Sequence, residues 1–393
     1  MKLVYVTSGM GLHVKAISDS FYNLLGTNFC FISVTRPNKN AKSIHQHAEI
    51  GNKYDETYIF NSWESADTLQ IAYKLINQAD VVIFGGIPYH YVSDRIKNHK
   101  LTFISSERLF KRPFYMTSPK GWYNIYKSIV SPQNNRYFYL ALSAYCANDL
   151  ALIHSFKNRI FKFGYLVPVE KYNIEECLVY KRRNIIEILW CARFIDWKHP
   201  ELVTELALML VKNGIDNFHI NMVGAASSLQ VSIKEWIVKN HLSNYITIIS
   251  GLPNSKIRSM MKLSNIFLIT SDRKEGWGAV LNEAMAAGCG IIASNQIGSA
   301  PFLLKHMRNG LIFKSRDINS LYGNVLNLIK DHALREKLAK NAYFTISEEW
   351  SADNVAKRFI SIAESILNDN MITYEDGPCS LSFPCDENAL LIE

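Results

Sequence analysis

Short apolar runs alternate with stretches of three-to-four-residue periodicity along almost the whole chain. In the first half, the runs LVYVT (3–7), FCFISVT (29–35), DVVIFGG (80–86), LTFIS (101–105) and YFYLALS (137–143) predict strands, and RIFKFGYLVP (159–168) closes the series. In the second half, the runs at 185–191, 219–226, 245–253 and 263–270 predict four more. Amphipathic stretches predict helices after the first strand and over about 199–213, 279–287 and 348–368. Runs this apolar suit strands covered on both faces, and the alternation with helices predicts doubly wound α/β architecture with parallel sheets. A chain of 393 residues exceeds the usual size of one core. The expected division is a domain at 1–170, a charged and weakly periodic linker at 171–184, a second Rossmann-like domain at 185–347, a helix at 348–369 and a tail at 370–393. The tail carries Gly377-Pro378-Cys379 and Pro384-Cys385 and is expected to be ordered only by packing. No internal repeat or low-complexity segment interrupts the pattern.

The stretch SDRKEGWGAVLNEAMAAG (271–288) carries the most specific chemistry. A buried strand precedes it, and the helix at 279–287 is stopped by Gly288. Glu275 then sits on the loop and Glu283 about one turn into the helix, with Gly276 and Gly278 between them. A helix N-terminus offers free N–H groups to an anion, and two carboxylates accept from hydroxyls. Together these suit a ligand that is part sugar and part diphosphate. Earlier, IIEILWCARFIDWK (185–198) places Arg193 and Lys198 after a strand, where an Arg fork and a Lys point charge can converge on one diphosphate. Two further strands end in glycine, at Gly224 and Gly251.

With these pieces assembled, residues 185–313 resemble the C-terminal domain of the family 4 retaining glycosyltransferases, which have the GT-B fold of two Rossmann-like domains facing a central cleft. The matching parts are the strand–Arg–x4–Lys segment, the Val-Gly strand end at 223–224, the Ser-Gly-Leu turn at 250–252 and EGWGAVLNEAM with its Glu-x7-Glu spacing. One departure is Ala192 before Arg193, where many members have glycine. The resemblance implies that Glu283 binds the donor ribose, Glu275 lies beside the transferred sugar, and Arg193 and Lys198 neutralise the diphosphate. It also implies that the backbone around Gly276, Trp277, Gly278 and Val280 lines the sugar and phosphate pocket, and that the helix at 348–369 crosses back to the first domain. No DxD-like metal motif sits where one would be needed, so metal-independent transfer with retention is implied, with Glu275 positioning the sugar and the leaving phosphate helping to deprotonate the acceptor. No cofactor is expected, because a UDP- or GDP-linked sugar is a substrate.

The first domain is less legible. Its Gly9–Gly11 turn has Val14 where a dinucleotide fingerprint needs a third glycine, so no such site is predicted. In GT-B enzymes the equivalent turn faces the donor phosphates, which makes Gly11 a candidate. Many relatives carry a His-Asp pair after an N-terminal strand, but here FISSERLF (103–110) places Glu107 there, as either a donor contact or a salt-bridge partner of Arg108 or Lys111. His13, His45, His47 and His90 are further cleft candidates.

Charge changes the picture in one respect. The net charge of +8 divides as +7 over residues 1–180 and +1 over the rest. The basic clusters RIKNHK (95–100) and ERLFKRP (107–113) supply Lys97, Lys100, Lys111 and Arg112. They read either as a solvated face or as a surface for an anionic partner, namely a polyprenyl-diphosphate-linked saccharide or an acidic membrane leaflet. No nucleic-acid module accompanies them. Seven scattered cysteines without CxxC spacing suggest neither a disulfide framework nor zinc and fit a reducing cytoplasm. The N-terminal apolar run is too short for a signal peptide, and no stretch of about 18 apolar residues occurs. The expectation is a cytoplasmic enzyme, peripheral on the inner face of the membrane at most, adding a hexose-type sugar to a saccharide or lipid-linked saccharide during surface polysaccharide synthesis. Two alternatives stay open: a catalytically silent nucleotide-sugar-binding partner subunit, and a GT-B-fold nucleotide-sugar epimerase, against which the Glu-x7-Glu spacing speaks.

Overall fold

The computed structural model of the protein describes residues 1–36, 58–111 and 118–391. It divides into two compact units, Met1–Pro168 with Glu349–Cys385, and Val169–Glu348 with the chain from Asp386 onward. Both are built on parallel sheets, seven strands in one and six in the other.

The first sheet comprises β1 (Leu3–Thr7), β2 (Phe29–Ser33), β3 (Ile59–Asn61), β4 (Val81–Gly85), β5 (Thr102–Ser106), β6 (Tyr137–Ala141) and β7 (Ile160–Lys162), ordered β3-β2-β1-β4-β5-β6-β7. β1 and β6 are buried along their whole length, as unbroken apolar runs in a two-sided sheet require. β3 was not legible in the sequence because it is three half-buried residues between polar flanks. The helix Ala352–Leu367 belongs to this unit and packs Phe359 edge-on against Phe21, Phe103 and Phe163, with ring centroids 4.9–6.2 Å apart.

The tail differs from expectation. It is held by backbone pairing rather than by packing alone. Cys379 N donates to Lys162 O (2.7 Å), Lys162 N to Ser380 O (2.8 Å) and Ser382 N to Ile160 O (2.8 Å), with an antiparallel bridge between Phe161 and Leu381. This covers the open N–H and C=O row of β7.

The second sheet comprises β8 (Ile186–Cys191), β9 (Phe218–Val223), β10 (Ile246–Ile249), β11 (Ile266–Ile269), β12 (Gly290–Ser294) and β13 (Leu311–Phe313), ordered β10-β9-β8-β11-β12-β13. One face packs Trp190, Ile220 and Leu268 against Leu206, Leu210 and Leu328. β12 and β13 escaped the pattern reading, since one opens on glycine and the other is three residues long. Within the stretch read as a linker, Asn173 caps a helix, Ile174–Tyr180. Its Ile174 and Leu178 bury against Ala339 and Tyr343, so this segment is part of the second unit's core. All seven cysteines are free. No described helix is long and apolar enough to cross a membrane.

Candidate functional site

In the second sheet the chain leaves β8 towards β9 on one side, while β11 leads to β12 on the other. That reversal opens a crevice at the carboxyl ends of β8 and β11, the place where open α/β sheets bind ligands. The two motifs singled out in the sequence are the two loops at this point.

The loop after β8 buries Phe194, makes one 3₁₀ turn at Asp196–Lys198 and passes through His199 in the left-handed region (φ 49°) into the helix Pro200–Lys212. It and the end of β8 are tied to the segment after β11 by three hydrogen bonds. Trp190 Nε1 donates to Thr270 Oγ1 (2.9 Å), Thr270 Oγ1 donates to Lys198 O (2.6 Å), and Asp272 N donates to Trp197 O (3.0 Å). The Asp272 side chain is buried and takes the Lys274 N–H on Oδ1 (2.9 Å). Arg316 donates from Nη2 to Asp272 Oδ2 (3.4 Å) and from Nε to His199 Nε2 (3.2 Å). With Nε2 accepting, Nδ1 carries the proton and donates to Glu201 Oε1 at 2.7 Å.

This bracing brings the predicted residues together. Lys198 Nζ and the Glu275 carboxylate form an ion pair, their side chains only 11 and 12 % exposed. Lys198 Nζ also lies 4.4 Å from the centre of the Trp197 ring, and the exposed Arg193 guanidinium lies 5.9 Å from it. Gly278 closes the loop at φ 83°, and a Cβ there would lie 3.3 Å from Glu275 Cγ and 3.1 Å from Ile297 Cγ2. Gly276 is buried beside it. The Trp277 side chain is buried and bonds Asn282 Oδ1 through Nε1 (2.9 Å). The Trp277 indole therefore anchors the loop, and its carbonyl accepts from Ser299 N (3.1 Å).

Val280 begins the seven-residue helix Val280–Ala286, with Glu283 in its first turn. Glu283 Oε1 is 3.9 Å from Arg258 Nη1, on the helix Asn254–Leu263. The Cys191 thiol, at the end of β8, senses both sides of the site. Burial and then the Glu283 carboxylate push it up to about 12, while Lys198 pulls the other way. At its far end the Glu283 helix is capped from the linker stretch. The buried Lys181 Nζ donates to Ala287 O (2.8 Å) and Gly288 O (2.6 Å), and Tyr172 OH donates to Ala286 O (2.9 Å). A cation at a helix C-terminus also complements its dipole.

Gly224 sits where β9 passes the β8 loop, and a Cβ there would fall 2.0 Å from Ala192 O and 3.0 Å from Phe194. Backbone cannot yield as a side-chain tip does. Gly224→Ala is expected to cost ~2 kcal/mol or more of stability, by overpacking, and to displace Arg193. A melting curve of the variant, with and without nucleotide, checks this.

In the first unit, Gly11 is the residue before the helix Leu12–Leu25, at φ −106°, and a Cβ there would meet nothing within 4 Å. Neither conformation nor space demands a glycine at that position. Glu107 pairs with Lys111, one of the salt bridges weighed in the sequence, and accepts from Tyr165 OH on Oε1 (3.1 Å). Its carbonyl accepts from the buried Tyr139 hydroxyl at 3.1 Å. The His13 ring lies 5.4 Å from that of Tyr165, and His90 stacks on Tyr91 at 4.7 Å. His45, His47 and Arg112 lie outside the described residues.

The basic clusters need correction. Arg95 is inside the fold, donating to Thr102 Oγ1 and to the carbonyls of Ile76, Ala79, Asp80 and Leu101, and burial lowers its guanidinium to about 10. Arg108 is buried against Asp149. Of the described cations in these clusters, Lys97 and Lys100 are the exposed ones. An Arg can be recruited to cap carbonyls, and charge counting along a sequence does not register that.

Sequence reasoning passed over Trp197, Asp272, Arg258 and Lys181. Trp197 was legible from its place beside Lys198. The others are set by crossovers that carry no local signal.

Comparison with known proteins gives the following likenesses. Residues 180–344 match the family model described as glycosyl transferases group 1. The uncharacterized glycosyltransferase MJ1069 of Methanocaldococcus jannaschii is 24% identical over 200 residues, 51% of this chain and 50% of that protein, so the match spans about half the relative's length. Among solved structures, Anabaena Alr3699/HepE in complex with UDP superposes with a TM-score of 0.66 at 14% identity, covering 93% of this chain and 100% of that one. A glycosyltransferase from Rickettsia africae superposes with a TM-score of 0.64 at 16% identity, covering 93% and 98%. Those likenesses extend over both units and show the GT-B fold, and the match of residues 180–344 to the group 1 glycosyl transferases falls on the unit that holds the Glu-x7-Glu loop.

Proposed function

We propose that this protein transfers a hexose-type sugar from a nucleoside-diphosphate donor to a saccharide or lipid-linked saccharide acceptor, with retention and without a metal ion. The observation that carries the reading is the Lys198–Glu275 pair at the switch point of the second sheet, beside Glu283 and Arg193. Arg193 and Lys198 supply counter-charge for a diphosphate, and carboxylates accept ribose and sugar hydroxyls. As the glycosidic bond breaks, negative charge grows on the departing diphosphate, where fixed cations count most. Glu275 holds the sugar for displacement on the same face, and the leaving phosphate takes the acceptor proton. The Anabaena neighbour, in complex with UDP, makes UDP the first base to try, with GDP next. Acceptor choice, action at the inner membrane face and a role in surface polysaccharide synthesis belong to the same proposal.

A thermal-shift screen against UDP, GDP, ADP and their sugar conjugates, with no metal added, tests the donor site. One base is expected to raise the melting temperature selectively, and Glu283→Ala to abolish the rise. No shift with any nucleotide overturns the reading. Transfer in the presence of EDTA, with the product's anomeric configuration read by NMR, tests metal independence and retention. A protein that binds nucleotide but carries out neither donor hydrolysis nor transfer is instead a silent partner subunit.

A further inference from the structure

Lys198 and Glu275 hold each other in the structure, yet the donor-site reading gives each a different partner, phosphate for one and sugar for the other. We infer that this pair is a sensor that opens for a sugar-bearing donor and resists the bare nucleoside diphosphate. The inference rests on the donor-site reading above.

A diphosphate that claims Lys198 strips Glu275 of its counter-charge. A carboxylate only 12 % exposed tolerates this poorly, because breaking a largely buried pair leaves one charge uncompensated. The transferred sugar brings hydroxyl donors to that carboxylate, whereas a bare nucleoside diphosphate offers only phosphate oxygens there. Its terminal phosphate also carries an extra negative charge above a pKa of about 6, where the conjugate has a sugar ester. Three nearby cations have other partners. Arg193 lies over Trp197, Arg258 faces Glu283, and Arg316 bonds Asp272 and His199. The loop also fixes the Glu275 backbone, whose N donates to Asp272 O (3.0 Å). After transfer the sugar's hydroxyls are gone, the diphosphate again faces an unpaired Glu275, and re-formation of the pair favours its departure.

The test is calorimetric titration of the full chain, at pH 8 without metal, with UDP, UDP-glucose, GDP and GDP-mannose. For the base that binds, Glu275→Gln keeps the shape but not the charge. It is expected to bind the bare diphosphate about tenfold more tightly than wild type, ~1.4 kcal/mol, with no such gain for the conjugate. Glu275→Ala moves in the same direction, and Lys198→Gln, which breaks the pair from the other side, weakens both ligands. Unchanged or weaker binding of the bare diphosphate by both Glu275 variants overturns the inference and leaves the donor site standing, with Glu275 then orienting Lys198. Absence of nucleotide binding by the wild type overturns the donor-site reading and the inference with it.

Discussion

Lys198→Ala is expected to lower turnover by about two orders of magnitude or more, the loss seen when one preorganised electrostatic donor is removed from a developing negative charge. The site gives the ammonium little freedom. Thr270 grips its backbone carbonyl, Trp197 lies against it and Glu275 holds its charge. Its backbone and ring contacts position it before the donor arrives, and once the pair with Glu275 has opened no further reorganisation is needed as charge builds on the leaving diphosphate. The loss should fall on turnover more than on the Michaelis constant, because the charge that Lys198 meets grows along the reaction coordinate. Arg193→Ala is expected to act in the same sense and with similar size. Turnover within a few-fold of wild type for either variant refutes a phosphate role for that residue. Steady-state rates of sugar transfer are the measurement.

Asp149→Ala is expected to destabilise the first unit by about 3–5 kcal/mol, the cost of removing one member of a buried ion pair. Arg108 and Asp149 are only 6 and 3 % exposed, and Asp149 also accepts the Phe110 N–H on Oδ2 at 2.9 Å. Among the described residues, Arg108 Nε and Nη1 are buried without hydrogen-bond partners, and the Tyr145 ring lies 5.1 Å from its Cζ. Its loss of Asp149 leaves a full charge inside the fold. The melting temperature of the variant should fall by roughly 10 °C, given about 2–4 °C per kcal/mol in a unit of this size. A fall of under 2 °C shows that the pair contributes nothing net. Because this loop carries Glu107, the same variant tests whether the loop's geometry matters to activity at nucleotide saturation.

The sequence and the structure meet most closely where local pattern and tertiary demand coincide. β1 was read to the residue, and the helix bearing Glu283 to within one residue at each end, because a buried strand and a glycine-stopped helix both write their limits locally. Short strands failed for the converse reason. β3 and β13 have three residues each, too few for any period, and are strands only because neighbours offer hydrogen bonds. The tail behaves likewise: residues 379–382 carry no strand pattern and pair because β7 leaves an open edge.

By itself, then, the sequence determined the parallel α/β architecture, the strand–Arg–x4–Lys loop, the Glu-x7-Glu loop and the order of the elements that bear them. Each is a statement about residues near one another along the chain, where apolar spacing and turn chemistry act. Only the tertiary structure decided that Lys198 would hold Glu275 across 77 positions, that Arg258 would face Glu283, that Lys181 would cap the Glu283 helix, and that Arg95 and Arg108 would lie inside a half of the chain whose composition reads as a basic surface. Ion pairs and carbonyl caps between distant segments depend on strand order and on the depth at which a charge comes to rest. Residue spacing encodes neither, because a crossover can return the chain to either side of a sheet while the local pattern stays the same.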